Sequence, residues 1–224
     1  MKLPMSQASL SVVPILATPF GVVDLPAARQ ANQAVAQLLA RHAAANPAPA
    51  SDRLCYRSRD DLLEWNDAAV RQMCGEILQG VWSTVAAVNS FTPEELNSFS
   101  IQARGSFAIV QPNGSIPATS HSLTSWCGMY CLEAPQPSAE RRDSGVVRLY
   151  ESRLATMFTD ATNSAMRLPF TFGHYSWHAV PGQLAVFPGS LTHEIPLIRS
   201  TGPLTLITVR TRFVAPGQEG LSRW

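Results

Sequence analysis

Apolar positions along this chain change their spacing near Ser98. Before it they recur every three or four residues; after it they come in short runs between turn residues. Leu10–Phe20, rich in Val, Ile and Leu, reads as a short buried strand. From Pro26 to Ala45, Val35, Leu38, Leu39 and His42 fall on one helical face, and Pro26 suits a first turn. Asn46–Ser51 ends that helix in a loop. Asp60–Glu64 is expected to open a second helical region acidically, with Asp67 as a cap. The stripe Val70, Met73, Cys74, Ile77, Leu78, Val81 and Trp82 is that of a helix packed on a sheet. Thr92-Pro93-Glu94-Glu95 signals another helix start.

Beyond Ser98, turn signals recur at Pro112–Gly114, Pro135–Pro137, Asp143–Gly145, Pro181-Gly182, Pro188-Gly189 and Thr201–Pro203. They separate expected strands at Ser106–Gln111, Trp126–Glu133, Val146–Glu151, His174–Val180, Gln183–Phe187 and Leu204–Phe213. Short strands at this spacing predict a β-sandwich or barrel. The organisation expected is a single domain over 1–224: a mainly helical part, 1–97, a β core, 98–214, and a tail, 215–224.

Composition narrows the classes. The chain has 224 residues, enough for a hydrophobic core without disulfide staples. A formal net charge of +1 predicts neither a nucleic-acid nor an anionic-membrane partner. The first twenty residues are broken by Pro14 and Pro19 and make a poor export signal, and no run approaches a membrane span. A cytoplasmic protein is expected, with Cys55, Cys74, Cys127 and Cys131 as reduced thiols. No Gly-x-Ser-x-Gly elbow and no phosphate-binding glycine loop occurs.

The chemistry concentrates in Pro181–His193, where an apolar strand and a tight Pro188-Gly189 bend lead to His193. A bend at a strand end can present a side chain at a barrel mouth. His121 lies shortly before the strand Trp126–Leu132. Two histidines, each beside a barrel strand, suit a metal site. His174 and His178 share a strand face, and His178 is a further candidate ligand. Cys127, Met129 and Cys131 share the parity of His121; they read either as apolar filling or, for Cys127, as a soft ligand.

On these residues the chain resembles small bacterial and phage iron(II)/2-oxoglutarate oxygenases. The block Pro181–His193 carries most of the likeness. Cys127–Leu132, Gly145–Leu149, Glu151–Arg153, Leu16–Pro19 and Asp60–Trp65 add to it, so it spans most of the chain. The resemblance implies an α+β protein: a double-stranded β-helix of the jelly-roll, cupin-like kind with N-terminal helices packed on the sheet. It implies an oxidoreductase, a dioxygenase with iron(II), 2-oxoglutarate and O2, hydroxylating or otherwise oxidising a small-molecule substrate; the divergence of the motif points to a specialised role in small-molecule biosynthesis. The expected metal ligands are His121 and His193, with His178 or Cys127 as third ligand. An arginine clamps the co-substrate carboxylate in that family, and Arg199 and Arg210 are the candidates. Tyr130 and Arg148 are expected in the substrate pocket, and a homodimer stays open.

Two departures qualify this. Aligned on Gly128, the family's first histidine falls on Thr119 and its second on His121; if His121 is instead the first ligand, its carboxylate partner becomes Leu123. The family's clamp falls near Leu204, and Arg210 and Arg212 lie on the same strand face, Arg210 roughly 20 Å further along. Two alternatives therefore stand beside the oxygenase: a metal-dependent oxidase on this fold that does not use 2-oxoglutarate, and a non-catalytic binding protein on the same scaffold.

Overall fold

A computed structural model describes residues 17–49, 52–136, 143–150, 166, 168–169 and 173–217. Leu10–Leu16, Arg141-Arg142 and Glu151–Arg153 lie outside them.

The fold is mixed α+β with two antiparallel sheets. One sheet has six strands, in the order Gly21–Asp24, Gln183–Pro188, Trp126–Glu133, Leu204–Val214, Ser100–Val110, Cys55–Arg57, and the other has four, in the order Ile116–Thr119, His193–Ile195, Val146–Tyr150, His174–His178. The strands are β1 Gly21–Asp24, β2 Cys55–Arg57, β3 Ser100–Val110, β4 Ile116–Thr119, β5 Trp126–Glu133, β6 Val146–Tyr150, β7 His174–His178, β8 Gln183–Pro188, β9 His193–Ile195 and β10 Leu204–Val214. From β3 onward the chain passes between sheets at every connection except β6 to β7.

Helices α1 Pro26–Ala45 and α2 Ala68–Val88 cover one face of the larger sheet. Asp67 caps α2, its carboxylate accepting from the amides of Ala69 and Val70. Glycines let α2 ride close: a Cβ on Gly128 would lie 2.7 Å from Val81, and one on Gly80 would lie 2.5 Å from Leu184. The short α3 Pro93–Ser98 starts with a Thr92/Glu95 capping box.

Alternation gives each central strand two faces. Phe107, Ile109, Tyr130, Leu132, Ile207 and Val209 pack under the helices. Cys127, Met129, Cys131, Leu204 and Leu206 point the other way, against Val147, Leu149, Trp177 and Ile195 of the smaller sheet. The space between the sheets is therefore a second, apolar core.

Several expectations change. Of the strand expected over Leu10–Phe20 only residues 17–20 are described, and they form no strand; β1 follows at Gly21–Asp24 and pairs with β8. Asp60–Glu64 does not open an α-helix. Asp61 bridges to Gly105 and only Leu62–Glu64 makes a single 3-10 turn, so the segment is tied to the strands. The short strands β2, β4 and β9 lack enough apolar residues to show a period. Among the described residues no helix is long and apolar enough to cross a membrane.

Candidate metal centre

The Pro188-Gly189 bend controls the site. Gly189 accepts a 2.7 Å hydrogen bond from the amide of His121, and its own amide donates to the Ser125 carbonyl. A Cβ on Gly189 would lie 2.5 Å from the Thr124 carbonyl oxygen and 2.9 Å from that of His121. Only glycine lets the loop before β5 approach the loop before β9 this closely. The result is that the rings of His121 and His193 stand 5.2 Å apart between centroids.

His193 opens β9, opposite Leu149 of β6 and Thr119 of β4. It is buried, 3% exposed, and packs edge-on against Phe187. Its Nδ1 lies 3.0 Å from the Leu191 carbonyl oxygen. A carbonyl only accepts, so Nδ1 carries the proton and Nε2 keeps its lone pair. Burial pushes the His193 pKa down, partly offset by that hydrogen bond. Burial also pushes His121 down, to about 4, helped by His193 and by Arg210 and opposed by Asp60. Both rings are therefore neutral at pH 7, the form that binds metal.

The two candidate third ligands differ in where they stand. His178 is exposed on the outer face of the four-stranded sheet, one position from inward-facing Trp177, so strand alternation turns it away from His193. Cys127 does face inward, beside Phe187 and Arg210 in register, but its thiol is fully buried and pushed up to about 12 by desolvation. Thr119 is exposed, and Leu123 is 68% exposed. Among the described residues no three His, Cys, Asp or Glu side chains gather as a metal-binding group.

The other expected site residues also separate. Arg199 is exposed in the loop before β10. Arg148 lies on the outer face of β6, ion-paired with Glu194 at 2.9 Å, and Glu194 also accepts from Tyr150. Tyr130 faces the helices: its hydroxyl donates to Asn32 Oδ1 at 2.6 Å, and Asn32 Nδ2 donates to the Leu132 carbonyl. Neither Arg148 nor Tyr130 can line a pocket between the sheets. Arg210 does face the site. It pairs in register with Cys127, whose neighbour Phe187 touches His193, and its guanidinium is ion-paired with Asp60.

Two residues near this mouth carry no site signal of their own in the sequence. Asp60 reads there as part of a helix start, although it stands in the Asp60–Trp65 segment on which the family likeness partly rests. Arg104 sits directly opposite Arg210 on β3. It lies in the part of β3 before Ser106, where the strand expected from the sequence begins.

The donor set suits a divalent cation held by two imidazoles. It does not suit 2-oxoglutarate extended between the sheets with its far carboxylate at the start of β10. Leu204, at that start, is fully buried among Val110, Ile198 and Leu206. The buried indole N–H of Trp177 has no hydrogen-bond partner, and a neutral donor does not replace a guanidinium against a carboxylate.

No protein-family model matches the sequence, and no curated protein matches it. Solved structures do resemble the fold. A prolyl-4-hydroxylase from Pseudomonas putida aligns with a TM-score of 0.56 at 12% identity, covering 89% of this chain and 94% of that one. AviO1 from Streptomyces viridochromogenes gives 0.58 at 14% identity, covering 90% and 92%. SnoK, a non-haem α-ketoglutarate-dependent carbocyclase from nogalamycin biosynthesis, gives 0.60 at 9% identity, covering 93% and 87%. The chain thus shares the fold of these three structures, which include a prolyl hydroxylase and an α-ketoglutarate-dependent carbocyclase.

Proposed function

We propose that the protein is a non-haem iron(II) oxygenase that oxidises a small molecule at a two-histidine centre. One observation carries this: His121 and His193, held neutral, face each other beside the bend at Gly189. The fold supports it, since from β3 to β10 the chain alternates between two antiparallel sheets as a double-stranded β-helix would, and so do neighbours such as SnoK, whose own chemistry is α-ketoglutarate-dependent.

His121 and His193 would hold the iron, which when bound supplies oxygen activation. His193 is oriented for this by Leu191, and Phe187 shields its buried side from water. Arg210 brings positive charge to the same level of the fold. A 2-oxo acid co-substrate would meet its cation here, at the mouth, and not at Leu204. A second reading, oxidation of the substrate without 2-oxoglutarate, is favoured by the apolar floor around Leu204.

Oxygen uptake by the iron-loaded protein tests both, with a panel of small carboxylic acids and polyols, with and without 2-oxoglutarate. Uptake with succinate formation supports a 2-oxoglutarate-dependent enzyme. Uptake that needs iron but not 2-oxoglutarate supports the second reading. Absence of iron-dependent uptake under every condition, even slow uncoupled turnover, refutes the proposed function.

A further inference from the structure

β2 is the last strand of the larger sheet, and β3 is its pairing partner. The Leu54 carbonyl accepts from the Gln111 amide at 2.8 Å, and the Ser58 amide donates to the Phe107 carbonyl at 2.9 Å. Successive residues of an antiparallel strand turn their backbone groups to opposite sides. Leu54, Tyr56 and Ser58 therefore face β3, and Cys55 and Arg57 turn their amides and carbonyls outward. This outer edge borders a cleft of about 710 Å³. Its opposite wall is the C-terminal turn of α1 and the loop after it, with His42, Pro47 and Pro49. The edge and the wall together leave a slot along β2.

Arg53, Arg57 and Arg59 are exposed along this segment, and Arg57 and Arg59 line the cleft. The nearby acids are engaged or withdrawn. Asp60 is ion-paired with Arg210, Asp61 accepts from the Trp65 indole at 3.3 Å, and Asp52 is half-buried. The solvent side of the edge is therefore positive. Leu54, 46% exposed, adds an apolar side chain on the face of Tyr56. Arginines on an edge strand also deter pairing between copies of one chain, since like charges would then oppose each other. A cleft beside the edge is no part of such a deterrent.

We infer that the open edge of β2 docks an extended acidic peptide of a partner protein, which adds to the larger sheet as a further strand in the cleft beside α1. Main-chain hydrogen bonds to Cys55 and Arg57 supply affinity in this mode of recognition, and alternate side chains supply specificity. Acidic side chains fall on the Arg57 face, and apolar ones on the face of Leu54 and Tyr56. Opposite charges directly across a strand pair stabilise it, which selects an acidic partner over a second copy of this chain. The inference does not rest on the histidine pair or on the proposed function.

Fluorescence anisotropy of a short, labelled peptide of alternating glutamate and valine, titrated with the full-length protein, tests it. The peptide should bind, and its lysine–valine analogue should bind about ten-fold more weakly or worse. Arg57→Glu reverses one cross-strand pair and should weaken the glutamate peptide about five-fold. Arg57→Pro should weaken it more than Arg57→Gln does: both lose the charge, and proline also removes the outward amide while sparing the ladder to β3. Arg57→Glu and Arg57→Gln change an exposed side chain alone, so they keep the test decisive if the proline variant unfolds. Four results would overturn the inference: no binding of the glutamate peptide, equal binding of the lysine analogue, equally tight binding of a short oligothymidylate, or a wild-type dimer that dissociates in Arg57→Pro. The third would make the arginines a general polyanion patch, and the fourth would give the edge to a second copy of the chain.

Discussion

The amide of His121 donates to the carbonyl of Gly189 at 2.7 Å, and this bond between two loops sets His121 beside His193. His193 is placed by its pairing in β9, but His121 belongs to no strand. β4 ends at Thr119, and His121 lies beyond it. Two contacts place it: the bond to Gly189 and the turn His121–Thr124, closed by the Thr124 amide donating to the His121 carbonyl at 2.9 Å.

Gly189→Ala should break that arrangement. The new Cβ would press on two backbone carbonyl oxygens, which cannot swing aside as a side chain can. Overpacking of this kind costs about 1–3 kcal/mol. A lowered urea midpoint together with at least a ten-fold weaker cobalt(II) affinity is expected. Unchanged cobalt(II) binding would show that the loop contact does not set the site.

Acid should destabilise the fold through His121. Its folded pKa, about 4, lies below the ordinary 6.5. The unfolded chain therefore binds the proton more readily. The stabilising contribution is fully present above pH 6.5 and is lost as pH falls towards 4. Urea midpoints measured across this window should drop in the wild-type protein and drop less in His121→Ala. Parallel profiles for the two proteins would contradict the depressed pKa.

Tyr130 should matter for stability and not for ligand binding. Its hydroxyl ties the sheet to α1 through Asn32. Tyr130→Phe leaves Asn32 Oδ1 without its donor, at a cost of about 1–3 kcal/mol. Chemical denaturation should report that loss while the cobalt(II) affinity stays at its wild-type value; a ten-fold change in it would return Tyr130 to the pocket.

Cys127 should stay out of the metal's coordination. Its thiol is fully buried and pushed up to about 12, so it remains protonated at neutral pH. The cobalt(II)-loaded protein should show no thiolate-to-cobalt absorption in the near ultraviolet. A band that disappears in Cys127→Ser would make Cys127 a ligand.

The helices and long strands are legible in the sequence because their patterns are long. The stripe from Val70 to Val81 and the run Trp126–Glu133 each repeat their period several times. His193 is legible from the Pro-Gly bend that precedes it. The third-ligand candidates fail for a different reason. Period-two alternation shows that His174 and His178 share a face but not which face, and packing of Trp177 into the inner core decides it. Asp60 and Arg104 are hidden because their roles come from long-range pairing across β3 and β10, which no local pattern records.

Anaerobic iron(II) binding by the wild-type, His121→Ala and His193→Ala proteins tests the central claim most directly. One iron(II) per chain in the wild type, with at least ten-fold weaker binding in each variant, is the predicted result. A wild-type protein that binds no iron(II), or a variant that binds it as tightly as the wild type, would contradict a centre built on this histidine pair.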